Sequence, residues 1–252
     1  MLITAAGIAA IGIASLSSPT AKDEAAPSAV PDSSDVAAYV RYNEWLSFAR
    51  GKDSIYSAAD SIIGSMGLDI RRPKALLEEY GLLDDLQDRY RSLMRRYPDV
   101  AFKDGIPRNV LESMPLIEKA AAKYKVKGSI IAAILVAESD GYKYAVNKAQ
   151  NGRGRISAFA AGQAGINIMV HRTGGDPARI FETEENVNQC GMILSHYVRE
   201  ANGDMRRALS RYSGNGYDSY GKRYARKVLD LAAAIEKVDS SDSFHSAYYA
   251  LR

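Results

Sequence analysis

The sequence predicts a mainly α-helical protein, and three observations predict it. From Ser34 to Val238 apolar residues recur at three- and four-residue spacing, the period of a helix with one buried face. No convincing run of alternating strands and no internal repeat is present. The composition, 46% hydrophobic and 25% charged with eight prolines in 252 residues, suits a folded chain with a sizeable core and one or two domains.

Taken in order, "SDVAAYVRYNEWLSFARG" has a cap at Ser34 or Asp35, a stripe through Val36, Tyr39, Val40 and Leu46, and a glycine stop at Gly51. "DSIYSAADSIIGSMG" and "RPKALLEEYG" read as short helices stopped by glycine. "LLDDLQDRYRSLMRRYP" reads as a longer amphipathic helix ended by Pro98. "FKDGIPRN" reads as a linker. After it come "LESMPLIEKAAAKY", the apolar helix "SIIAAILVAES", and "NKAQNGRGRISAFAAGQAG", a loop or short hairpin. "ETEENVNQCGMILSHYVREANGD" has acids in its first turn, where the helix dipole favours them. "DMRRALSRYSGNG" is a short helix broken by Gly214 and Gly216, and "SYGKRYARKVLDLAAAIEKV" is the closing helix. The expected division is 1–33 leader and linker, 34–107 helical segment, 108–238 main domain, and 239–252 tail.

The chain opens with the apolar run "LITAAGIAAIGIASL", too short for a comfortable membrane span of roughly 20 residues. It resembles the core of an export signal but lacks the basic residue before it and a clear cleavage site. Export, or an N-terminal membrane anchor, is the expectation; a disordered alanine-rich tail is the alternative. Net charge is +3 with acids and bases alternating, so no patch argues for nucleic acid. The one cysteine, Cys190, cannot form an intrachain disulfide and reads as a small buried hydrophobe. His171, His196 and His245 have no ligand spacing, so a metal site is not expected.

Glu138 stands out. The stripe Ile131, Ile134 and Leu135 runs directly into it, which places a carboxylate on the buried face of a helix near its C-terminus. Outward-pointing carbonyls and an apolar wall both disfavour the anion, so the group is expected to hold its proton toward neutral pH. Such a group can protonate a leaving alkoxide in glycosidic bond cleavage. The plainer alternative is a surface acid at a frayed helix end.

The surroundings resemble a known family. "AESDGYKYAVN" is similar to the ES-x-(F/Y)-x-P-x-A-x-(S/N) segment of the soluble lytic transglycosylases, of the lysozyme-like superfamily. Glu138, Ser139, Ala145 and Asn147 match, and Lys143 or Tyr144 replaces the proline. "GQAGINIM" echoes G-A-x-G-L-M-Q through Gly162, Gly165 and Ile166, with Asn167 in the glutamine's role after a one-residue gap. "DPARIFETEENVNQCGMILSHYV" carries the matching Asp176, Pro177, Glu185, Asn186 and Gly191, with Tyr197 nearby. "GDMRRALSRYSGN" matches at Gly203, Asp204, Ala208, Leu209 and Tyr212, with Ser213 in place of asparagine, and "YARKVL" puts Tyr224 on the late motif.

The resemblance covers residues 108–236 and leaves the first hundred unexplained. It implies a lysozyme-like domain with a small or absent β hairpin that cleaves the MurNAc–GlcNAc link of peptidoglycan and forms 1,6-anhydroMurNAc without a cofactor. Glu138 would act as sole acid and base, since no second acid stands out in the sequence. Ser139 would be a hydrogen-bonding support, and Tyr212 would place its hydroxyl near Glu138 or the substrate's N-acetyl group, holding the acid's orientation. Asn147, Gly165, Asn167, Ser213 and Tyr224 are the other expected substrate-contact positions, and Tyr217 and Tyr220 are either sugar platforms or core margin. The expected partners are glycan strands, the membrane through the N-terminal run, and an envelope-spanning complex; the expected location is the periplasm or cell envelope. Two rival readings stay open. One is a goose-type-lysozyme-like hydrolase; the other is a catalytically silent glycan-binding or scaffold module.

Overall fold

The computed structural model describes residues 33–65, 73–150, 156–171, 177–214 and 216–239. The apolar leader, the linker after it, the glycine-rich stretch 151–155, Asp176 and the tail with His245 lie outside the described residues. Those described are mainly helical with a small sheet, as expected.

The first two helices, α1 (Ser33–Ser65) and α2 (Pro73–Arg96), pack against each other. Two of the glycines expected to stop a helix do not: α1 runs through Gly51 and α2 through Gly81, while Gly67 lies outside the described residues. At Gly51 the reason is packing, because a Cβ there would lie 2.8 Å from the Leu93 side chain of α2. The missing side chain brings the two helices together, which outweighs glycine's cost of about 1 kcal/mol in a helix. Pro98 does end α2, and it opens the single turn α3 (Pro98–Ala101).

The expected linker is instead a hairpin. Strands β1 (Phe102–Lys103) and β2 (Ile106–Pro107) pair antiparallel. Asp104 and Gly105 both take positive φ between them, as an Asp-Gly hairpin turn requires. Then follow α4 (Arg108–Glu112), α5 (Met114–Tyr124) and α6 (Gly128–Ser139).

Helix α6 is the centre of the fold. Its stripe extends all the way round: Ile130, Ile131, Ala132, Ala133, Ile134 and Leu135 are all buried, against α4, α5, α7 and α9. A helix apolar on every side has to sit inside, and each fully buried aliphatic side chain contributes about 2 kcal/mol. The chain leaves α6 through Asp140, in the left-handed conformation, and Gly141.

Strands β3 (Val146–Gln150), β4 (Ile156–Ala161) and β5 (Ile166–Asn167) form an antiparallel sheet in the order β3-β4-β5. A 3₁₀ turn (Pro177–Phe181) leads to α7 (Thr183–Glu200), α8 (Met205–Tyr212) and α9 (Ser219–Asp239), all close to their expected bounds. Asp204 caps α8 by accepting from the Arg207 amide. Cys190 is fully buried, and burial pushes its thiol up to about 12. Among the described residues, no helix is long and apolar enough to cross a membrane.

The α1–α2 pair is fastened to the stretch following Glu138. Tyr90 of α2 stacks on Tyr142 with centroids 4.6 Å apart, and Tyr56 of α1 meets Tyr144 edge-on at 5.3 Å. Asn109 donates to both the Tyr90 hydroxyl and the Gly141 carbonyl, and Tyr144 donates to Asp60 of α1. Gln87 of α2, itself buried, accepts from the Val146 amide at 2.8 Å. This aromatic and polar seam clamps residues 141–146 between the two parts of the chain.

Candidate active site

Glu138 sits one residue before the end of α6, part-buried, at the edge of a cleft of about 200 Å³. Two elements hold Glu138 in place, helix α9 and the 162–165 loop. Tyr224 of α9 donates its hydroxyl to Oε1 at 2.5 Å. Lys227, one turn further along α9, donates to the Ala137 carbonyl at 3.1 Å. On the other side the backbone at Gly165 presses close, since a Cβ there would lie 2.8 Å from Oε2. Gly165 also has φ of +60°, so this position favours glycine on two counts.

Burial raises the Glu138 pKa above the ordinary carboxylate value of 4.5; the Tyr224 hydrogen bond and the Lys227 charge oppose it and lose. The direction follows from desolvation of an anion that, among the described residues, has one close donor. Tyr224 is itself pushed well above the phenol range, first by burial and then by Glu138, so it remains a donor.

The loop facing Glu138 is held from behind. Ser139 is buried, with its hydroxyl 2.7 Å from the Gln163 carbonyl and 3.1 Å from that of Leu135. It thus joins the acid's own helix to the loop. Asn186 of α7 accepts from the Ala164 amide at 2.7 Å and donates to the Ile180 and Ala161 carbonyls. Gln163 donates to the Gly141 carbonyl.

The remaining expected positions divide. Asn147 and Gly165 line the cleft with Glu138, as do Ala145, Val146, Ala160 and Gly162. Tyr212 does not hold the acid by a hydrogen bond: its hydroxyl donates to the Ala164 carbonyl at 2.9 Å, and Tyr224 makes the bond expected of it. The reason is position, because α8 reaches the back of the 162–165 loop while α9 runs alongside α6. Asn167 is not among the cleft-lining residues; its side-chain oxygen accepts from the Phe159 and Met169 amides and closes the β4–β5 turn. Ser213 donates back to the Ser210 carbonyl at the end of α8. Tyr217 and Tyr220 are exposed beside cations, Lys222 over one ring and Arg223 near the other. Among the described residues no three His, Cys, Asp or Glu gather as a metal site.

Six lining residues were not foreseen: Val146 and Ala160 of the sheet, and four from α2. Tyr80, Asp84, Gln87 and Arg91, at steps of four, three and four, form one row along α2 and wall the cleft. The row was readable as a helical face, but nothing in the sequence connected that face to Glu138. It also brings a second carboxylate, Asp84, to the cleft.

A comparison with family descriptions matches residues 115–228 to the Transglycosylase SLT domain. No curated protein matches the chain in sequence. Among solved structures, an inactive mutant of the lytic transglycosylase Slt from Pseudomonas aeruginosa is similar over 79% of this chain, at 14% identity and a TM-score of 0.42. This chain covers 33% of that one. The stretch that matches the Transglycosylase SLT domain contains the acid, the loop facing it and Tyr224 together.

Proposed function

We propose that this SLT domain is a peptidoglycan lytic transglycosylase with Glu138 as its single acid and base. The family gives a transglycosylase-type function. The observation supporting the finer reading is a carboxyl group whose pKa is raised by burial, at the edge of a cleft, oriented by one phenol and one close backbone approach. In the reaction, Glu138 gives its proton to the bridging oxygen as the bond to the anomeric carbon breaks. The N-acetyl carbonyl oxygen of the same sugar bonds to that carbon. The C6 hydroxyl then displaces it, and its proton returns to Glu138. The 1,6-anhydro product has consumed no water, and the acid is restored. Ser139 and Tyr212 are positioning residues that hold the 163–164 backbone, and through it Gly165, against the acid. The site of action would be the cell envelope, where the substrate is.

Mass spectrometry of the products from purified sacculi tests this. The expected muropeptides carry anhydro ends, lighter by one water than hydrolysed ones. Products with the water added would make the protein a muramidase, and sacculus binding without turnover would make it a glycan-binding module.

Tyr224→Phe provides a second test. The phenol hydrogen bond favours the Glu138 anion, so its loss raises the Glu138 pKa further. A general acid fails as pH rises through its pKa, so the alkaline limb of the rate profile should move to higher pH. The rate on the plateau should fall about tenfold as the carboxyl loses its orientation. Rate against pH on soluble glycan strands checks both, and a limb displaced to lower pH would contradict the role assigned to Tyr224.

A further inference from the structure

The α2 row lies outside residues 115–228, yet it forms one wall of the cleft that holds Glu138. From Tyr80 to Arg91 it spans about 16 Å at the helical rise of ~1.5 Å per residue. Its chemistry is not that of a sugar platform. One face of the Tyr80 ring carries the Lys148 ammonium, 4.0 Å from the centroid, and Phe159 meets the ring at an angle of 79°. Burial and then the Asp84 carboxylate beside it hold its hydroxyl above the ordinary phenol range. Gln87 is occupied by the Val146 amide. The row therefore offers the cleft two charges of opposite sign, Asp84 and Arg91. The latter forms an exposed pair with Asp88 at 3.2 Å, an interaction weak enough to give way.

A glycan of alternating N-acetylated sugars with its lactyl groups in amide linkage carries no charge. The charged groups of peptidoglycan are on its stem peptides: free carboxylates and, at a diamino acid, a free amine. We infer that the Asp84–Arg91 face of α2 is a stem-peptide site, Asp84 taking the amine and Arg91 a carboxylate, so that this chain prefers peptide-bearing glycan. This deepens the function proposed above and rests on it for the substrate class.

Affinity is measured for soluble glycan strands with their peptides and for the same strands stripped by an amidase and recapped as lactyl methylamides, so that the freed lactyl carboxylates add no charge. The full chain carrying Glu138→Gln is used, so that turnover does not consume the ligand. Asp84→Asn and Arg91→Gln should each weaken binding of the peptide-bearing strands about tenfold and binding of the stripped strands much less. Added salt should weaken the first interaction more than the second. Equal losses on both ligands, or no loss on either, would overturn the inference. Turnover is read separately with the wild-type chain. Failure to cut either ligand while the affinity pattern holds would defeat the proposed reaction alone; cutting with equal affinities would defeat the peptide site alone.

Discussion

Glu138→Gln is expected to fold normally and to release no anhydro-muropeptides from sacculi, a loss of at least about a thousandfold. A positioned general acid is worth roughly 10²–10⁴ in rate, and here one group is assigned both proton transfers. Glutamine keeps the shape and can accept the Tyr224 hydroxyl, but it has no proton to give. The same variant carries a stability signature. The native pKa of Glu138 is raised above 4.5, so the native state resists ionisation that the unfolded chain accepts. Wild-type stability is therefore undiminished below the unfolded pKa and declines as pH rises through the native one. The variant escapes that decline: its advantage in denaturant midpoint should be absent in acid, grow above about pH 4.5 and then level off. Full activity would remove Glu138 from the mechanism, whereas an advantage confined to acid would contradict its burial.

Gly162→Ala should be the most damaging small substitution near the site. Gly162 has φ of +76°, which costs an alanine about 1 kcal/mol. Its Cβ would fall on the Asn186 side-chain nitrogen and 2.6 Å from the Ile180 carbonyl oxygen. The second is backbone and cannot rotate away. Relief would break the hydrogen bonds by which Asn186 holds the 161–164 segment, for a total of about 3–5 kcal/mol. For a chain of this size the melting temperature should drop by about 10 °C. Activity should fall with it, because Gly165 and the carboxyl it touches depend on that segment. Gly64→Ala, with nothing within 4 Å of the added carbon, is the control and should melt no lower than wild type. Unchanged melting in Gly162→Ala would mean that the loop is not held as described.

The local elements were legible wherever one segment supplied its own pattern. Helices α7, α8 and α9 follow from apolar spacing, the first-turn acids, Asp204 and the glycines after Tyr212. Gly51 and Gly81 misled because a glycine inside a helix and a glycine stopping one look alike until the partner helix is known. Asp104-Gly105 was a hairpin signal hidden in a stretch too short to show strands.

The candidate site divides in the same way. Glu138 at the end of an apolar helix was visible in the sequence, because burial of α6 and the cost of an anion there follow from consecutive residues. Which tyrosine reaches the acid was not, because Tyr212 and Tyr224 are both helical phenols on matching motifs. Only the packing of α9 along α6 and of α8 behind the loop separates them. The wall made by Tyr80, Asp84, Gln87 and Arg91 was beyond any local pattern. Sequence determines which residues share a face of one helix. What that face meets depends on long-range docking, here the tyrosine seam that fixes α2 against residues 141–146.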